Sequence, residues 1–138
     1  MLRGRSLRYE RNIFHTNKIF SFDWGISIAN WLSVRDRMNF STVSVYPKFR
    51  FTPVHLRLTD FYLTYSLAGP TFISKTSLDG QDLGKIFTLQ DLIGLGSYIG
   101  KQRHINVEVG IGHYSNGNLF IRNPGIMIPL TVSMGYAF

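Results

Sequence analysis

From Phe20 to Ile28 every even position is apolar (Phe20, Phe22, Trp24, Ile26, Ile28), and every odd position from Ser21 to Ala29 is polar or small. A repeat of two is the repeat of a β-strand, whose side chains alternate between faces. The pattern returns most cleanly at the C-terminus. There Ile126, Ile128, Leu130, Val132, Met134, Tyr136 and Phe138 alternate with Met127, Pro129, Thr131, Ser133, Gly135 and Ala137. No long stretch carries a helical repeat behind a capping signal, and no run of about 18 apolar residues could form a transmembrane helix. A chain with these constraints folds as β-sheet or not at all.

Seven strands are expected: about Arg5 to Phe14, Lys18 to Ser33, Asn39 to Phe51, Thr59 to Ser74, Ile86 to Gly100, His104 to Ser115, and Ile126 to Phe138. Eleven Phe, seven Tyr and thirteen Gly suit strands joined by tight turns. Charged residues make up 17% of the chain, below the ~25% usual in soluble domains. Parity alone fits two architectures. In a sandwich the apolar set faces a core; in an outer-membrane barrel it faces lipid and the polar set fills the lumen. Strand length, aromatics near strand ends and a chain ending on Phe138 favour an antiparallel up-and-down transmembrane β-barrel as one domain. Such barrels close with an even strand count. Seven therefore implies an eight-stranded type lacking its first strand, or one misplaced boundary. The N-terminal MLRGRSLRYERN is basic but has no apolar segment, so it is not a signal peptide. On this topology the loops 35–37, 75–85 and 116–125 are extracellular, and the turns near 17, 53–58 and 101–103 are periplasmic.

The absence of cysteine removes disulfides, thiolate metal sites and a cysteine nucleophile. The formal charge of +7 sits mainly at strand ends rather than in one run, which suits rims meeting phosphate groups. His113 and Ser115 lie two apart, hence on one face, together with Ile105, Val107, Val109 and Ile111. Polar groups on a lipid-facing wall are costly. Either they are a base and a nucleophile, or the strand has already left the membrane. A three-residue turn at Lys101 to Arg103 sets a register that places Asp91 opposite His113. Asp91 is then an orienting carboxylate or a strand-end charge. Asn116 and Gly117 follow the serine as oxyanion donors or as a plain turn. Glu108 is expected in a lumenal polar network. His15, His55 and His104, near the periplasmic turns, have no metal-ligand spacing and receive no role.

Two segments, SLAGPTFISKTSLDGQDLGKIFTLQDLIGLG from Ser66 and VEVGIGHYSNGNLFIRNPGI from Val107, resemble the PagL family of lipid A 3-O-deacylases. The likeness covers about Ser66 to Phe138. It implies an eight-stranded bacterial outer-membrane barrel, monomeric or homodimeric, that removes the 3-position ester-linked acyl chain of lipid A. The partners implied are lipopolysaccharide and outer-membrane lipid, not nucleic acid, with no cofactor or metal. On this resemblance His113 is the general base, Ser115 the nucleophile, and Asn116 with Gly117 the oxyanion site. Lys75, Lys85 and Arg122 are candidates for the lipid A phosphates. The family's glutamate, just after the Gly-Ile that ends the loop, is Met127 here. That leaves three expectations: a dyad acting alone, another acceptor such as Asp91 or the Asn123 amide, or a catalytically impaired or structural barrel. A soluble barrel or sandwich that binds lipid is the remaining alternative.

Overall fold

A computed structural model describes residues 2–16, 19–33, 37–78, 81–82, 85–119 and 125–138. The long strands are β1 (Leu2–Thr16), β2 (Phe20–Ser33), β3 (Asn39–His55), β4 (Thr59–Ile73), β7 (Phe87–Ile99), β8 (Ile105–Ser115) and β9 (Ile126–Tyr136). Each pairs antiparallel with the next, in the order β1-β2-β3-β4-β7-β8-β9. All seven expected strands are present, with most ends within two residues. The connection between β4 and β7, expected as a plain loop, contains a two-stranded hairpin, β5 (Ser77–Leu78) and β6 (Gln81–Asp82).

Faces are sorted opposite to those of a water-soluble protein. Trp24, Ile26, Ile28, Val43, Val45, Phe49, Leu95 and Ile111 are exposed, whereas Asp23, Ser44, Lys48, Thr64, Ser66, Thr71 and Glu108 are buried. Polar groups are tolerable inside only when they partner one another. They do so. Lys48 Nζ lies 2.9 Å from Glu108 Oε2 and 3.0 Å from Glu10 Oε1, and Arg50 reaches Asp23 Oδ2 at 2.6 Å. Tyr46 Oη donates to Glu10 at 3.1 Å. These bonds join β1, β3 and β8, so the sheet is curled around them. This is the architecture of an outer-membrane barrel, with an apolar wall outside and a polar lumen. The sandwich reading is thereby excluded.

The first and seventh long strands run in the same direction, so pairing them directly would make a parallel seam. Among the described residues no ladder joins β1 to β9, and the barrel is open there. A cavity of about 490 Å³ lies along the opening.

One face assignment changes. β9 was expected to keep all its even residues on the outer wall. Instead the β8–β9 register shifts between Gly110 and Gly112, where Pro129 and Leu130 together oppose Ile111. A bulge of one residue reverses parity, and proline, with no N–H to donate, is well placed at a bulge. Leu130, Val132 and Met134 stay outside, but Ile128 is buried and Met127 is exposed. Ile128 joins Ala29, Trp31, Phe40, Ile73 and Tyr114 in an apolar plug inside one end of the barrel, against which Met38 and Ile126 pack. Trp31 Nε1 donates to Thr42 Oγ1 at 3.2 Å beneath the Tyr114 ring, satisfying the plug's indole.

Candidate active site

His113 and Ser115 close β8 at the plugged end. Tyr114, between them, points inward and is 3% exposed, anchoring the strand in the plug. His113 and Ser115 therefore point outward, half-buried, in line with exposed Val109 and Ile111. Their Cα atoms lie about two strand rises, roughly 6.6 Å, apart. Among the described residues no hydrogen bond joins His113 to Ser115. In enzymes without substrate such contacts are often loose and tighten on binding.

The β7–β8 register runs unbroken from Ile99↔Ile105 to Leu89↔Ser115 and places Asp91 opposite His113, as the turn length requires. The carboxylate is not bonded to the imidazole, however. Asp91 Oδ1 accepts the backbone N–H of Ala68 at 2.7 Å. β4 carries a bulge between Ser66 and Gly69, with Ala68 at φ 50°, and this turns the Ala68 N–H towards β7. No side-chain pattern in the chain signals this arrangement. One carboxylate oxygen is thus fixed by backbone, as in a strained-turn cap, and Oδ2 remains on the same outer strip as His113.

On the other side of the histidine, Met127 occupies the paired position and is 60% exposed. The bulge at Pro129 puts it there; without the parity reversal residue 127 would face the lumen. Gly125 lies against the ring. A Cβ at that position would lie 2.6 Å from His113 Nε2, and its φ is 66°. Backbone conformation and lack of room both require glycine. The Asn-Pro-Gly sequence before β9 was the available signal for it.

After Ser115 the chain turns through Asn116 to Leu119. Gly117 and Asn118 have φ 61° and 62°, and Leu119 N–H donates to Asn116 O at 3.0 Å, a type I′ turn. Asn116 is 3% exposed, and its Oδ1 accepts the Asn118 N–H at 2.9 Å. By parity its side chain lies on the Tyr114 side of the strand, not beside Ser115. The backbone of the Asn116–Gly117 turn is what adjoins the serine. Lys75 and Lys85 are exposed at the base of the β4–β7 connection, at the same end as the dyad. Arg122 and Asn123 lie outside the described residues.

The lipid A 3-O-deacylase (PagL) family model matches residues 5–136. The crystal structure of the outer membrane enzyme PagL superimposes with a TM-score of 0.69 at 21% identity, over 98% of this chain and 86% of that one. No curated protein sequence matches the chain significantly. The family match spans all seven long strands and includes the outward-facing His113 and Ser115: the chain belongs to the lipid A 3-O-deacylase (PagL) family.

Proposed function

We propose that this protein is an outer-membrane esterase that hydrolyses the 3-position ester-linked acyl chain of lipid A. Ser115 Oγ attacks the acyl carbonyl carbon while His113 takes its proton. The sugar oxygen leaves with that proton, and the acyl group remains on Ser115. Water, deprotonated by His113, then releases the fatty acid. The turn backbone at Asn116 and Gly117 adjoins the position where the carbonyl oxygen becomes negative. Lys75 and Lys85, with Arg122, supply cations for the lipid A phosphates. Asp91, capped by Ala68, is the carboxylate available to orient His113.

One observation carries this reading. The histidine and serine project from the apolar outer wall, the surface a lipid reaches, above a lumen closed by packed side chains. The test is a fluorophosphonate probe on the refolded protein in detergent. Labelling should map to Ser115 and should fall sharply in His113→Ala. Labelling that persists in Ser115→Ala, or none in the wild type, rejects the serine.

The reading of an impaired or purely structural barrel is favoured by Met127, which stands opposite His113 without a group to bond it. Turnover of lipid A by the purified protein separates the two: a barrel that takes up the probe but never turns over is impaired.

A further inference from the structure

The end of the barrel away from the dyad has a different character. There the lumen opens into a cavity of about 580 Å³. Its walls come from the starts and ends of β1, β2, β3, β4 and β7 and from the turns 56–58 and 100–103. It lies at the start of β8, whereas the dyad lies at its finish. Ten residues of strand separate the two by on the order of 30 Å.

The two turns are bolted together by Arg103. Its Nε lies 2.8 Å from Asp60 Oδ2, and Nη2 donates to Asp60 Oδ1 at 3.0 Å and to Leu56 O at 2.6 Å. Nη1 donates to Gly100 O at 2.5 Å and to Arg57 O at 3.4 Å. Gly100 N–H closes the clamp on Leu58 O at 2.8 Å. Asp60 is shared further with His55, whose Nδ1 lies at 3.2 Å. The acidic group of the cavity is thus consumed by Arg103 and His55.

The clamp holds Arg57 and Lys101, one from each turn, on the cavity wall. No salt bridge among the described residues engages either. His15 adds an imidazole from β1. On the floor, Arg50 is 9% exposed and is held over the rings of Tyr62 and Tyr98. Its Nε, buried, finds no hydrogen-bond acceptor among the described residues. A preorganised rim with surplus guanidinium and ammonium groups, above a buried N–H donor, suits an anion with several acceptor oxygens. The outer wall just below this rim is apolar: Phe51, Val54, Leu56, Leu58 and Phe61 are exposed. An anion tethered to an acyl tail meets both surfaces.

We propose that this mouth is a phosphate-binding site, separate from the esterase dyad and independent of its activity. Its ligand carries a phosphate group: the headgroup of an anionic phospholipid in the leaflet at that end, or a soluble phosphate.

The test uses the refolded, detergent-solubilised protein and calorimetry with two probes, dihexanoylphosphatidylglycerol and inorganic phosphate. The comparison is wild type against an Arg57→Gln, Lys101→Gln double variant. Heat-modifiable gel migration confirms that each is folded. The wild type should bind the lipid probe, and the double variant should bind at least about tenfold more weakly, the scale set by losing two cations near an anionic surface. Ser115→Ala should bind as the wild type does. A lipid probe held much more tightly than inorganic phosphate identifies a headgroup; equal binding, with mutual displacement, identifies the phosphate alone. Equal affinity in wild type and double variant, binding of neither probe at millimolar concentration, or loss of binding in Ser115→Ala overturns the proposal.

Discussion

At one end of this barrel Tyr114, Trp31 and Ile128 fill the lumen, and the candidate dyad, His113 and Ser115, stands outside the wall. At the other end Arg50 and Tyr98 leave the lumen open, and the functional candidates line its inside. The same strands build both, since β8 carries Arg103 just before its start and His113 and Ser115 at its finish. Packing makes the difference. Where inward positions are apolar and large they close the lumen, so any substrate must arrive from the lipid side. Where inward positions are polar the lumen stays open as a cavity, and access runs along the barrel axis. A network centred on Lys48 and Glu108 separates the two ends.

Substitutions should break this contrast in a definite order. Replacing Ser115 by alanine should lower deacylation by about a thousandfold or more, the usual cost of losing a nucleophile, without changing the unfolding midpoint. Lys48→Met should act in the reverse sense. It removes the ammonium shared by Glu10 and Glu108 and leaves buried Glu108 with only Arg8 among the described residues, at 3.8 Å, costing about 3 kcal/mol in urea unfolding, while the folded fraction keeps its activity. Equal effects on activity would mean that the lumen and the outer wall are coupled.

Gly125→Ala should press a methyl group on His113 Nε2 and reduce kcat by about a hundredfold, the scale of an ångström displacement of a catalytic group. Substrate binding should be little altered, so KM serves as the internal control. Asp91→Asn keeps an acceptor for the Ala68 N–H but removes the charge. It should lower kcat about tenfold through poorer orientation of the imidazole, with gel migration unchanged. Adding Met127→Glu to that variant should restore most of the loss, because the β9 bulge aims residue 127 at the histidine from the opposite side. Full activity in Asp91→Asn alone would show that Asp91 only caps the bulge.

The strand pattern was legible because alternation over long strands leaves little choice of face or period. The pairing of Asp91 with His113 was legible for a similar reason: a three-residue turn fixes the register all along an unbroken ladder. The bulges were not. At Pro129 one extra residue reverses parity, but Ile126 and Ile128 suit an apolar plug as well as a lipid-facing wall. Composition therefore gives no hint of the switch. At Ala68 the bulge recruits a backbone N–H to Asp91, a contact between neighbouring strands that no side-chain pattern encodes. The inward turn of Asn116 follows from its even position beside Tyr114, a parity the local Asn-Gly motif obscures. The cationic mouth was missed because its residues, from His15 to Arg103, come from five strand ends and two turns that meet only in the folded barrel.

In the proposed function the outward-facing serine performs lipid A chemistry. Mass spectrometry of lipid A from cells assembling either the wild-type barrel or Ser115→Ala in the outer membrane tests it directly. Lipid A should lose a single 3-hydroxyacyl chain with the wild type and stay intact with the variant. Identical lipid A in both, with both barrels folded in the outer membrane, would contradict it.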